Sequence, residues 1–306
     1  MSLSALLSSA RALGPLAPHP HDLDAWWRDA EPRWPEGAES VARAFLAGAH
    51  ADRLAFAFAG GYEAALGRLD PSLTARGFAA LCASEARGAH PRAIESTLVD
   101  CGDHWRLDGE KRFISGGPLA ATLLVIATVG TRDGRPALKA AVLDRDTPGV
   151  TLTEALALPM VPELPHCGAR FEAVRVSAHQ LRAGDAYTEV LKPFRTLEDL
   201  HVWAAALGLA FRCLNGRDPE GRARARLAEC LATLTALGRE DPNDRGVHVV
   251  MAALWPRTRE ALEALFHGVE GEPGARLRRD LGLLRVADKA RTARDAAALG
   301  WLAAAP

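Results

Sequence analysis

The chain has 306 residues, of which 48% are hydrophobic and 25% charged, an ordinary globular composition with ample material for a buried core. The length alone suggests about two domains. A formal net charge of −1 and the lack of a dense Lys/Arg block argue against nucleic acid or an anionic membrane as a partner.

In chain order, the opening Met1-Ser-Leu-Ser-Ala-Leu-Leu has no basic segment and no long apolar run, so it does not read as a secretory signal. Asp22 is placed to cap a short helix holding Trp26 and Trp27, interrupted by Pro32 and Pro35. A long helical stretch from Glu36 to about Leu69 follows, with Val41, Phe45, Leu46, Ala49 and Leu54 near a 3.6 period and a break expected at Gly60-Gly61. Asp70-Pro71-Ser72 reads as the start of another helix. From residue 96 to about 180 the texture changes to short β-branched runs separated by turn residues. These are Ser96–Asp100, His104–Gly109, Arg112–Ser115, Thr122–Thr128, Leu138–Leu143, Val150–Leu152 and Phe171–Val176. Helical periodicity then returns over Thr196–Leu214, Glu220–Leu237, Arg245–Phe266 and Gly274–Leu302, with short connections that suggest an antiparallel bundle. The predicted class is α+β: an N-terminal helical domain (1–90), a middle β-barrel or sandwich domain (91–186) and a shortened C-terminal helical bundle (187–306).

The longest uncharged apolar run, Leu119–Val129, is too short for a membrane helix, so no membrane partner is expected. Cys82, Cys101, Cys167, Cys213 and Cys230 are odd in number, scattered and without a Cys-x-x-Cys pair, which predicts reduced thiols in a cytoplasm. The histidines show no His-Glu-x-x-His spacing, and although His19 and His21 share a proline-rich loop, no metal is expected. Arg222, Arg224 and Arg226 alternate with alanines and read as a solvated helix face.

Four ordered elements carry a resemblance. Trp105-Arg-Leu-Asp-Gly-Glu-Lys-Arg-Phe-Ile-Ser-Gly is followed by Leu123-Leu-Val-Ile-Ala. Then come Ala141-Val-Leu-Asp-Arg-Asp-Thr-Pro-Gly-Val and Phe171-Glu-Ala-Val-Arg-Val-Ser-Ala-His-Gln-Leu. Together they resemble the middle domain of the acyl-CoA dehydrogenases, and upstream Leu81-Cys-Ala-Ser-Glu is similar to that family's first flavin motif.

The resemblance implies an FAD-dependent oxidoreductase of fatty acid metabolism that desaturates an acyl-CoA or related thioester. Such an enzyme would pass electrons to an electron-transfer flavoprotein-like acceptor and work as a homo- or hetero-oligomer. It also implies that Leu81, Ala83 and Ser84 line the pyrimidine side of the flavin, that Phe113 packs on it, and that Ser115 makes the polar contact near N5. A donor there stabilises charge gained on reduction. Read from the residues alone, Ser84 and Ser115 are first of all a turn or helix cap. Thr196-Leu-Glu-Asp-Leu resembles the segment that in some members carries the catalytic glutamate, which implies Glu198 as the base; the alternative is an acid in a helix first turn after Thr196.

Two departures stand out. Where the family has a Gly-Ser pair this chain has Ala89-His90, and His90 either donates to a phosphate or fills the pocket. The Arg-x-x-Phe-Gly element that helps hold the flavin pyrophosphate is missing between Leu209 and Arg222. Those departures leave open a non-catalytic subunit or binding protein with the same fold.

Overall fold

The computed structural model describes residues 1–16, 22–30, 37–88, 90–218 and 220–304. His19, His21, Pro32, Pro35 and Ala89, singled out above, lie outside the described residues. The chain forms two compact units: a helical one from Met1–Ala65, Pro159–Glu163 and Thr196–Pro306, and a β one from Leu66–Leu158 and Leu164–Arg195.

The helical unit draws on α1 (Leu3–Ala12), α2 (Leu23–Ala30), α3 (Ser40–His50), α4 (Leu54–Leu69), α5 (Lys192–Cys213), α6 (Arg222–Leu237), α7 (Arg245–His267), α8 (Gly271–Asp280) and α9 (Asp288–Ala303). Asp22 caps α2 as expected, its carboxylate accepting the Ala25 N–H at 2.9 Å. The long N-terminal helix is in fact two. The break falls at Ala51–Arg53, where Ala51 turns extended and Asp52 and Arg53 form a buried ion pair at 2.7 Å. Gly60 and Gly61 do not break α4, because their lack of a side chain serves packing. A Cβ on Gly61 would lie 2.8 Å from the His201 carbonyl, and one on Gly48 would lie 1.8 Å from the Ala205 carbonyl. Small residues on α3 and α4 thus let α5 approach at backbone distance. Around that contact Trp26 stacks on Phe56 at 5.1 Å and Phe45 meets Phe211 edge-on at 5.9 Å. The expected last helix is also divided, into α8, a 3-10 turn over Leu281–Arg285, and α9.

Asp70-Pro71-Ser72 opens a series of turns rather than a helix. The β unit then builds one seven-stranded sheet from β1 (Ala79–Cys82), β2 (Thr97–Asp100), β3 (Trp105–Ser115), β4 (Thr122–Arg132), β5 (Arg135–Asp144), β6 (Val150–Leu152) and β7 (His166–Val176). The order is β1-β4-β2-β3-β7-β6, and β5 lies off this path, paired antiparallel with β4. β1 runs parallel to β4, and its Ala79, Ala80 and Cys82 are buried along with the preceding Phe78, so its sequence lacks the alternation of a half-exposed strand. That is why it does not stand out as a strand in the sequence. The runs 104–109 and 112–115 are one strand carried through two irregularities, and Gly109 permits the first: a Cβ there would sit 2.4 Å from the Ser96 hydroxyl.

Among the described residues, no helix is long and apolar enough to cross a membrane. Nor is any group of three or more His, Cys, Asp or Glu side chains among them placed to hold a metal ion.

Candidate active site

The β unit brings most of the candidate residues together, and a buried ion pair holds them there. Lys111 on β3 donates to Glu85 at 2.6 Å, with the two side chains 0% and 7% exposed. The same carboxylate accepts the Ser96 N–H at 3.0 Å, the Ser96 hydroxyl at 2.8 Å and the Glu95 N–H at 2.7 Å. Burial opposes ionisation of Glu85, but the Lys111 ammonium and the three further donors outweigh it and hold the carboxyl below its ordinary range. A buried charge pair this fully hydrogen-bonded fixes geometry more surely than it adds stability.

What it fixes is the chain immediately before Glu85 and immediately after Lys111. Ser84 accepts the Arg112 N–H at 2.8 Å through its carbonyl. Arg112 and Phe113 form a bulge, since Lys111 pairs with Ala169 and Ile114 with Cys167, leaving two residues opposite Gly168. Phe113 carries a φ of 57°, a left-handed conformation that strains a residue with a bulky side chain by about 1–3 kcal/mol. The ring is 50% exposed despite its size, with the Arg112 guanidinium 5.7 Å from its centre. Leu81, Ala83 and Ser84, at the end of β1, are half-buried. The strained, exposed Phe113 thus follows directly on the Arg112 N–H that joins β3 to the Ser84 carbonyl, and the buried Glu85–Lys111 pair fixes both.

Ser115, two residues past Phe113, is the cross-strand partner of His166 on β7. Its hydroxyl lies 3.1 Å from His166 Nε2, while His166 Nδ1 lies 2.9 Å from the Leu164 carbonyl. Burial pushes the His166 imidazole down, and the Leu164 carbonyl only partly offsets this. Ser115 is therefore neither a turn nor a helix cap.

His90 does not fill a pocket. It is exposed, its Nδ1 accepts the Arg92 N–H at 3.1 Å, and it stands at the rim of a cleft of about 750 Å³ within the β unit. Arg92, Arg132, Arg135 and Arg195 line that cleft with Tyr187. None of the four guanidinium groups has an acidic partner among the described residues. Of the two acids in the lining, Asp133 and Asp185, the second is already engaged by the N–H groups of Tyr187, Thr188 and Leu138. The cleft is therefore cationic and suited to phosphate.

Glu198 belongs to the helical unit and is half-buried. It does not lie in a helix first turn. α5 begins at Lys192, directly after a π turn over Tyr187–Leu191 that widens the backbone where the Pro193 ring would crowd the preceding turn. Thr196 is buried inside the helix with its hydroxyl 3.2 Å from His248 Nε2, so it caps nothing. The neighbouring acid is the more deeply engaged one. Asp199 accepts from Arg291 at 2.8 and 2.9 Å and from Arg294 at 2.8 Å, and Arg291 lies over the stacked rings of Trp203 and Trp255.

The resemblance puts the ring end of a flavin at the strained, half-exposed stretch around Phe113. The phosphate end lacks the expected element, because α5 ends at Cys213 and α6 begins at Arg222. There Arg224 is spent on the Leu214 and Asp218 carbonyls and Asn215. Sequence reasoning missed Lys111, Glu85 and His166 as site residues. The first two were inside the quoted motifs, where a buried Lys in an exposed-looking strand was the available signal; His166 had none.

Residues 79–174 match the family described as acyl-CoA dehydrogenase, middle domain. A probable acyl-CoA dehydrogenase of Bacillus subtilis (strain 168), YngJ, is 28% identical over 158 residues, which is 50% of this chain and 40% of that protein. The chain therefore spans well under two thirds of that relative. Among solved structures, the prolyl acyl carrier protein oxidase AnaB aligns with a TM-score of 0.73 and 16% identity over 99% of this chain and 98% of its own. Butyryl-CoA dehydrogenase from Megasphaera elsdenii aligns with a TM-score of 0.67 and 17% identity over 97% of each chain. The chain thus carries a segment that matches the acyl-CoA dehydrogenase middle domain, and its α+β fold is that of the acyl-CoA dehydrogenases.

Proposed function

We propose that the chain is an FAD-dependent oxidoreductase that introduces an α,β double bond into an acyl-CoA or related thioester. The observation that carries this reading is the strained, half-exposed Phe113 ring held beside Ser84 and Ser115 by the buried Glu85–Lys111 pair. Bound FAD supplies a hydride acceptor for the β-hydrogen. Leu81, Ala83, Ser84, Phe113 and Ser115 orient the ring, and Glu198 removes the α-proton as general base. The unpaired arginines of the cleft, with His90, hold the phosphate-bearing handle of the thioester. The electrons leave to an electron-transfer flavoprotein-like acceptor, and the protein works in the cytoplasm as a homo- or hetero-oligomer.

Visible absorption of the purified protein, before and after FAD addition and desalting, tests the first step; a retained flavin band is expected. Acyl-CoA should bleach that band in the wild type and fail to do so in Glu198→Gln with FAD still bound. A Glu198→Gln variant with full turnover removes Glu198 from the mechanism. The short α5–α6 junction, without the pyrophosphate element, favours a second reading: a non-catalytic subunit of a hetero-oligomer. A protein that refuses FAD selects it.

A further inference from the structure

The pairing of Ser115 with His166 fixes more than a distance. A carbonyl oxygen only accepts, so the Leu164 contact requires the proton on His166 Nδ1. Burial disfavours the imidazolium, so the ring is neutral at ordinary pH and its Nε2 is bare. The bare nitrogen only accepts, and the Ser115 hydroxyl proton must therefore point at it. What remains on Ser115 for a ligand is a pair of oxygen lone pairs.

We infer that His166 is a positioning residue that turns the Ser115 O–H inward, so that Ser115 offers its ligand an acceptor and not a donor. The inference rests on the flavin reading for the identity of that ligand. An oxidised flavin presents a bare N5, which an inward-turned hydroxyl cannot serve. A reduced flavin presents N5–H, which donates to Ser115 Oγ while Oγ–H donates to His166 Nε2. No proton changes owner along this chain, and the hydride brings both electrons. In place of the donor expected from the sequence, the pair would offer an acceptor to the N5–H of a reduced ring and so favour the reduced state.

The surroundings of His166 leave the direction undisturbed. Its carbonyl accepts the Leu156 N–H at 2.6 Å, and Ser115, Leu156 and Leu164 carry no charge. The adjoining β6 and the short turn Gly117–Leu119 have no charged residue. Of the charged residues on β3, Arg112 in the bulge is exposed with its guanidinium 5.7 Å from the Phe113 ring centre, and Lys111 and Glu110 lie further along, opposite Ala169 and Arg170. On β7 itself, Cys167 is neutral, its thiol pushed up to about 11 by burial.

The test has two arms. Nitrogen-15 NMR of the apoprotein, with the signal assigned by its loss in His166→Phe, reads the tautomer directly. The Nδ1–H form is expected; an Nε2–H form overturns the inference, because Ser115 would then be the acceptor of that bond and its proton free to face the ligand. The second arm measures binding of FAD in its oxidised and reduced states. His166→Phe releases the hydroxyl proton outward and should shift the preference toward the oxidised state by roughly tenfold, the scale of one net hydrogen bond. The same substitution on a Ser115→Ala background should shift nothing. An unchanged preference in His166→Phe overturns the assignment of the pair to N5. Failure to bind FAD at all overturns the flavin reading and with it that assignment, while the tautomer still reports the proton's direction.

Discussion

Replacing Lys111 with methionine removes the cation from the buried pair while keeping most of the side-chain volume. Glu85, 6% exposed, is then a buried carboxylate facing methionine, with only Ser96 and Glu95 as donors. Stripping one partner from a buried pair generally costs about 3–5 kcal/mol. Three surviving hydrogen bonds put the expected loss near the lower end, about 3 kcal/mol. Urea unfolding followed by circular dichroism measures it, and exchange of the Arg112 amide, bonded to the Ser84 carbonyl, reports whether that link loosens. The double variant Glu85→Gln/Lys111→Met should be less destabilised than Lys111→Met alone, giving a coupling of about 1–3 kcal/mol. The pH dependence follows from the depressed Glu85 carboxyl. Its stabilisation is complete above the unfolded value of about 4.3 and is lost as pH falls through the lower folded value. Lys111→Met should move that loss to higher pH. A loss below about 1 kcal/mol with Arg112 still protected would refute the claim that the pair holds Ser84 and Arg112 together.

Gly48→Ala should lower the melting temperature, since a Cβ 1.8 Å from the Ala205 carbonyl forces the α3–α5 contact apart; an overpacking loss of about 1–3 kcal/mol or more is expected by calorimetry. Asp199→Asn leaves Arg291 and Arg294 without their shared carboxylate, so a loss near 3 kcal/mol and a change in fluorescence from Trp203 and Trp255 are expected in denaturant unfolding. His166 should titrate below 6.5 by NMR. Because the unfolded chain binds that proton first, its contribution is complete above about 6.5 and declines as pH falls through the folded value. Arg132→Ala/Arg195→Ala should weaken acyl-CoA binding and flatten its dependence on ionic strength, as measured by calorimetric titration at two salt concentrations.

Much of the β unit was legible in the sequence because turn residues punctuate it: Gly102-Asp103, Asp133-Gly134 and Pro148-Gly149 mark where strands end. β1 was not, since a strand buried on both faces has no alternation to read. The helical boundaries failed where tertiary contact overrode local propensity. Gly61 read as a breaker because glycine is a poor helix former, yet it sits within α4 to admit α5. Of the site, the residues inside contiguous motifs came through, and those defined by partners far along the chain did not. His166 is 51 residues from Ser115, and only strand register brings them side by side. The four arginines of the cleft come from three segments, with only Arg132 and Arg135 on one hairpin, and their spacing does not announce a common face.

The Glu85 carboxylate has a consequence for how this protein can be altered. It holds both ends of the segment that bears His90 and Arg92: the near end by covalent continuity, the far end through the Glu95 and Ser96 N–H groups. The exposed part of this segment thus begins and ends at one carboxylate, while its Ala93 and Ile94 are buried. The exposed His90 and Arg92 can therefore be exchanged with less strain on β1 and β2 than the buried Ala93 and Ile94, provided that Glu85, Ser96 and Lys111 stay. Exchanging those exposed positions should remodel what the arginine cleft accepts while the Glu85–Lys111 pair keeps its geometry.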